Sequence, residues 1–176
     1  MDRTRRQLLK TSIALGLAAA TPALAASRIE RTSARTRSGR ILGARNGDLH
    51  VFRGIRYGAD TATHRFQPPQ REIPWRGARE ALAFGASAPQ GGGDGPGSED
   101  CLFLNVTTPG LRDGRRRPIL FYIHGGGFNN GSGSDPLYDG TRLCMHGDVV
   151  VVTVNHRLNA FGYLYLGEFD QRFAES

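Results

Sequence analysis

Ile123-His124-Gly125-Gly126-Gly127-Phe128 follows directly on an apolar run, Pro118-Ile119-Leu120-Phe121-Tyr122-Ile123. Three glycines at a strand end let the chain turn sharply and leave backbone N–H groups unobstructed. N–H groups that converge on one point can hold the oxyanion of a tetrahedral intermediate, which is the chemistry of acyl transfer. Two other readings stand beside this one. A phosphate loop needs Gly-x-x-x-x-Gly-Lys-Ser/Thr and a helix start after it, and the sequence has neither. A plain tight turn needs only the glycines.

The elements that must position this segment are legible around it. Cys101 to Thr107, Pro118 to Ile123 and Val149 to Val154 read as strands. The last two are near-continuous apolar runs, the pattern of strands buried on both faces in a sheet covered by helices. A short helix is expected around Gly140 to Met145. Upstream, Ile41-Leu42-Gly43 and Leu49-His50-Val51-Phe52 flank Asn46-Gly47, a strong hairpin signal because both residues tolerate positive φ. Residues 53–80 hold Pro68, Pro69 and Pro74 and read mostly as loop, with a short helical turn expected over 78–86. Residues 91–97, Gly-Gly-Gly-Asp-Gly-Pro-Gly, are incompatible with regular structure.

The chain of 176 residues is 39% apolar and carries a net charge of +7. Its start combines Arg3, Arg5, Arg6 and Lys10 with an apolar run from Ile13 to Ala20 and a small-residue site ending at Ala25-Ala26. That is a secretory signal, and its apolar run falls short of the roughly 20 residues a membrane span requires. Thr4-Arg5-Arg6-Gln7-Leu8-Leu9-Lys10 fits the twin-arginine type. Residues 1–25 are therefore expected to be a leader and 26–39, rich in Ser, Thr and Arg, a flexible lead-in. The implied location is exported, periplasmic or secreted in a bacterium, with the Tat translocase and signal peptidase as partners during export. The basic balance does not point to nucleic acid. Four of the cations sit in the leader, Arg115-Arg116-Arg117 reads as a solvated loop run, and basic and aromatic residues do not alternate. Export permits a disulfide, and Cys101 and Cys144 allow one pairing; buried free thiols are the alternative.

Several segments in order resemble the type-B carboxylesterase family of α/β-hydrolases. Phe52-Arg53-Gly54-Ile55-Arg56-Tyr57-Gly58 resembles F-x-G-I-P-[YF]-A, and Arg65-Phe66-Gln67-Pro68-Pro69 resembles R-F-x-x-P. Ser98-Glu99-Asp100-Cys101-Leu102-Phe103-Leu104-Asn105-Val106 is similar to S-E-D-C-L-x-L-N-[VI]. His124 to Phe128 falls where the oxyanion loop belongs. Tyr138-Asp139-Gly140 follows, and Asn155 to Leu164 resembles N-Y-R-L-x-x-x-G-F-L. The likeness runs from about Thr36 to Leu166 and makes 40–176 the N-terminal part of an α/β-hydrolase sheet, preceded by a small antiparallel hairpin.

The resemblance implies a carboxylic ester hydrolase of the serine type, acting on a small-molecule ester through an acyl-enzyme, with no metal or organic cofactor. It assigns Gly126 and Gly127 as oxyanion donors, Gly125 as the residue that shapes the turn, and Phe128 as a substrate-binding wall or a packing residue. His124 is structural on this reading, because the base histidine of such hydrolases comes late in the chain. Arg65 would pair with Glu99. Three departures stand out. Arg56 replaces a proline and is expected to loosen a turn; His156 replaces a tyrosine, read as packing variation. Ala88 occupies the place of a cysteine that bridges, in many relatives, to the one at Cys101, which leaves Cys101 free and buried with Cys144 its only conceivable partner.

Gly-x-Ser-x-Gly occurs nowhere in the 176 residues. Gly85-Ala86-Ser87-Ala88-Pro89 approaches it but ends in proline and lies on no strand-to-helix elbow. The expectation is an N-terminal piece, ending before the nucleophile, that is inactive and unstable alone because its sheet has an open apolar edge. The contrasting readings are a non-catalytic binding protein of the same fold and a decayed gene product.

Overall fold

The computed structural model describes residues 29–91 and 97–175. The expected leader and most of the Gly-Pro stretch, residues 92–96, lie outside them. Strands β1 (Arg31–Arg35), β2 (Arg40–Asn46), β3 (Leu49–Arg56), β4 (Ala78–Glu80), β5 (Phe103–Thr108), β6 (Ile119–Ile123) and β7 (Val150–Val154) form one sheet. Its order is β1-β2-β3-β5-β7-β6, with β4 pairing parallel to β2. Helices are short: α1 (Thr141–Gly147) and α2 (Asn159–Tyr163). None among the described residues is long and apolar enough to cross a membrane.

The hairpin forms as expected, with one refinement. Asn46 pairs with Leu49, so the two loop residues are Gly47 and Asp48 rather than Asn46 and Gly47. Gly47 takes φ +58 at the first loop position, the requirement of a type II′ turn. Farther along, β3 slips register against β5 between Phe52 and Ile55. Gly54 makes this bulge possible: it sits at φ +67, and a Cβ there would lie 2.5 Å from Ala83 O. Its N–H donates to Asn105 Oδ1 at 2.9 Å, which recovers the ladder bond the bulge removes.

Four expectations need correction. Arg31–Arg35, placed in a flexible lead-in, is a strand paired along its length with Arg40–Ala44. It is an edge strand held by backbone bonds, so its polar side chains carry no apolar signal. Residues 78–80, read as part of a helical turn, are strand β4; Ala81 N–H donates to Leu42 O at 2.7 Å and Arg53 N–H to Ala81 O at 2.8 Å. Arg56 ties its turn rather than loosening it. Its guanidinium grips both carboxylate oxygens of Asp100, reaches Glu72 at 3.5 Å and lies over the Phe103 ring. Finally, of the two apolar runs expected to be buried on both faces, only β7 is. β6 is the last strand of the sheet, and its Ile119, Leu120, Phe121 and Ile123 are all exposed.

The core is divided among three clusters. Ile41, Phe52 and Ala81 close the hairpin end; Leu49, Cys144 and Val151 hold α1 to the sheet; Ala88, Cys101, Leu102 and Leu158 fill the space behind residues 98–101. Both cysteines are free and buried in separate clusters. The basic run after Gly114 is ion-paired rather than merely solvated. Arg117 is half-buried and bonds Asp113 and Asp148, while Arg115 reaches Asp148 at 2.9 Å.

Candidate functional site

The glycine loop leaves the C-terminal end of β6, which pairs parallel to β7, so both strands deliver their following residues to one edge of the sheet. His124 to Phe128 follow β6, and Asn155 to Tyr163 follow β7 and carry α2. The turn is made by Gly126 at φ +120, Gly127 at φ +60 and Phe128 at φ +64. Gly125 has no positive φ and open space where a Cβ would stand, so it does not shape the turn as the sequence suggests. Gly126 does: a Cβ on it would lie 2.7 Å from Asn130 C and nearer still to Asn130 O. Gly126 O accepts from Asn129 N–H at 3.1 Å and Asn130 N–H at 3.3 Å, which closes the loop on itself. Among the described residues, the amides of Gly126 and Gly127 donate to no protein acceptor, and both are exposed.

Residues far away in sequence hold this shape. Gln90 clamps Gly131 on both sides, accepting from its N–H at 2.7 Å and donating to its O at 3.0 Å. Asn155, buried to 3% exposure, donates through Nδ2 to Ala86 O at 2.9 Å and accepts at Oδ1 from Gly133 N–H at 2.7 Å. Its backbone N–H donates to Phe103 O, and its O accepts from the Tyr57 hydroxyl at 2.6 Å. Burial then pushes that phenol up to about 12, since the charged form would lose its solvent. Asn159 N–H donates to Phe128 O at 2.9 Å, and its side chain donates to Asn129 O at 3.1 Å. Gln90 and Gly131 were given no role from sequence, and Asn155 entered only as the first residue of the N-Y-R-L-like segment. A further signal for Asn155 is its place as a polar residue ending the apolar run Val149 to Val154.

Phe128 is 66% exposed and packs its ring against Tyr163, 4.8 Å between centroids. His124 is buried and donates from Nδ1 to Gly125 O at 2.9 Å, a structural bond that fixes its tautomer. Arg65 and Glu99 pair as expected: both carboxylate oxygens are engaged, one by Nε at 2.8 Å. Cys101 stands beside Ala88 in one cluster, and burial raises its thiol to about 11, with Arg157 opposing. It is not paired with Cys144, whose Sγ–H instead meets Thr107 O at 3.2 Å.

Ser132 and Ser134 bond each other, Ser132 also donates to Asn155 Oδ1, and among the described residues no serine hydroxyl bonds an imidazole. Nor do any three His, Cys, Asp or Glu side chains among them form a metal-ligating group. A hollow of about 190 Å³ lies on the sheet face near Arg53, Asn105, Tyr138 and Asp139, away from the loop. Its polar walls are occupied by internal bonds, Asn105 to Gly133 O and to Thr153 Oγ1 among them, so the chemistry of the site stays with the glycine loop.

A family model described as the carboxylesterase family matches residues 30–172. Over 155 residues the chain is 35% identical to the para-nitrobenzyl esterase of Bacillus subtilis, covering 80% of this chain and 30% of that protein. Over 148 residues it is 40% identical to the phenmedipham hydrolase of Pseudarthrobacter oxydans, covering 77% and 30%. A crystal structure of a Geobacillus stearothermophilus carboxylesterase superposes with a TM-score of 0.76 at 47% identity, over 82% of this chain and 30% of that one. The chain thus spans about 30% of the length of the relatives it matches.

Proposed function

The chain belongs to the carboxylesterase family, and on that premise we propose that the whole protein is a serine hydrolase of carboxylic esters, to which this chain contributes the oxyanion-binding loop. One observation carries the reading: Gly126 and Gly127 present exposed amides without internal acceptors, on a turn that internal bonds hold open. Two such donors stabilise charge only where it develops on the carbonyl oxygen, and each contributes about 3 kcal/mol to the transition state. Serine attacks the ester carbonyl, the oxygen gathers negative charge against the two amides, alcohol leaves, and water then releases the acid. The serine, the acid and the base histidine come from residues outside this chain; His124 is committed to Gly125 O and serves as structure.

Phe128 and Tyr163 form an aromatic wall beside the donors, and we assign them to contact with the substrate. Export follows the same line of inference from the leader, with residues 1–25 removed on the way. Hydrolysis of p-nitrophenyl butyrate by the whole protein tests the function. The expected result is turnover abolished by a serine-directed phosphonate and lowered about 100-fold in kcat by Gly126→Ala. A folded whole protein without turnover on a panel of esters would favour a binding role. Exchange of Arg5 and Arg6 for lysine, followed by cell fractionation, tests the route of export.

A further inference from the structure

Four aromatic rings run around the glycine loop in an unbroken series. The His124 ring lies 4.5 Å from that of His156, at 25° between planes. His156 meets Tyr163 edge-on at 6.3 Å and 88°, and Tyr163 lies against Phe128 at 4.8 Å. His124 precedes the three glycines and Phe128 follows them, so the series touches the loop at both ends. His156 is its middle member and lies on the segment after β7, which also reaches Phe128 and Asn129 through Asn159. We infer that His156 is a positioning residue for the oxyanion loop, gripping it at both ends through His124 and Tyr163, and that the grip holds only while the His156 imidazole is uncharged.

The surroundings of the pair account for that condition. His124 cannot swing away. Its Nδ1–H is bound to Gly125 O, and Gly131 approaches so closely that a Cβ there would stand 2.5 Å from the same oxygen. His156 Nδ1 is buried and meets no hydrogen-bond partner. An uncharged ring with its proton on Nε2 tolerates this, whereas a charged ring would carry an N–H there with nothing to receive it. The charge would also face a second imidazole across 4.5 Å of protein. The groups around His156 are His124 from the glycine loop, the Tyr163 ring from α2, and the adjacent Arg157, whose guanidinium donates to Gln67 O. Burial, and then His124, hold the His156 imidazole below its ordinary range.

The sign follows. Below about pH 6.5 an unfolded or opened segment takes up the proton that the closed one refuses, so the loop is most stable above that pH and loosens as the pH falls. The effect on catalysis rests on the ester-hydrolysis reading; the grip itself does not.

The test follows the Gly126 and Gly127 amide resonances and the histidine Cε1–H resonances of the whole protein, labelled with ¹⁵N at glycine, from pH 8 to 4.5. The expected result is one step below pH 6.5 in which both amides move with the His156 imidazole. His156→Phe keeps a ring and removes the proton site, and it is expected to hold both amides at their pH 8 positions down to pH 5. His156→Ala removes the ring and is expected to raise exchange of the internally bonded Asn129, Asn130 and Gly131 amides about tenfold already at neutral pH. The inference is overturned by glycine amides that ignore the imidazole titration, by a His156→Phe profile that follows the wild type, or by random-coil glycine shifts in the wild type at pH 8. Loss of the esterase reading would look different: no ester turnover by the whole protein, with the amide step intact.

Discussion

The three adjacent glycines of the loop differ so much in what a methyl group would meet that they make a graded test. On Gly126 the added Cβ would stand 2.7 Å from Asn130 C, where ordinary carbon contacts lie at 3.5–4.0 Å, so Asn130 or the loop must move by about 1 Å. Gly126 also sits at φ +120, where an L-residue is strained by about 1–3 kcal/mol. Because the loop is exposed it can yield locally, and the loss of global stability should stay within that strain. The loss of function should be larger: a donor displaced by 1 Å costs on the order of 100-fold in rate. On Gly127 the methyl group meets nothing within 4 Å, and only the left-handed backbone at φ +60 opposes it, by about 1–2 kcal/mol. Gly125 has neither obstacle, and Ala there is expected to be neutral or to stabilise by up to about 1 kcal/mol through the unfolded chain. Urea unfolding followed by the single tryptophan, Trp75, measures the stability series, and kcat of the whole protein measures the catalytic one. The expected damage is Gly126→Ala above Gly127→Ala above Gly125→Ala in both. If Gly125→Ala were the most harmful of the three, the assignment of the turn to Gly126 and Gly127 would be wrong.

Three further outcomes are expected. The Cys101 thiol is raised to about 11 and the Tyr57 phenol to about 12, chiefly by burial. The unfolded chain therefore loses these protons first, and urea midpoints should be flat between about pH 7 and 9 and decline above it; Cys101→Ala should shrink that decline without abolishing it, because burial raises the Cys144 thiol as well. Ala88 and Cys101 share one cluster, so Ala88→Cys should form a disulfide under air, detected as one free thiol per chain instead of two. Closing that short loop stabilises by about 2–3 kcal/mol in the usual range. Along the open edge, Phe121→Lys should lower light scattering of the isolated chain several-fold, because Phe121 is 55% exposed on the terminal strand; unchanged scattering would place the sticky surface elsewhere.

What sequence could and could not reveal divides along a physical line. Strands β5, β6 and β7 were legible because their apolar runs are local properties, and the hairpin because Gly47 needs positive φ. β1 and β4 were not, since Arg31–Arg35 and Ala78–Glu80 join the sheet through backbone bonds that leave no apolar pattern. An apolar run says that a strand can be buried, and the exposure of β6 depends on what lies beside it. Within the site, the place of the glycine loop was evident and the division of labour inside it was not. Gly125, Gly126 and Gly127 are identical in type; the position of Asn130 sets Gly126 apart, and positive φ separates Gly127 from Gly125. Gln90 sits 41 residues from Gly131 and bonds it twice, a relation with no local trace. His156 read as a change in packing, and only the ring of His124 beside it gives it another meaning.

Asn155 has a consequence in time. It receives the Tyr57 hydroxyl across a sequence separation of 98 residues and reaches Ala86 across 69. At about 5–20 residues per second of synthesis, Tyr57 waits roughly 5–20 s for its acceptor to exist. During that wait the hairpin of β2 and β3 can form, because its pairing is local, while the glycine loop has its own bonds and Gln90 but neither Asn155 nor Asn159 to hold it. Contacts of such long range also carry a closure entropy that local ones do not, which delays them further in any refolding from denaturant. The loop is therefore among the last parts of this chain to acquire its full set of bonds, and a nascent chain paused before residue 155 would display His124 to Phe128 without the Asn155 and Asn159 contacts that fix its shape.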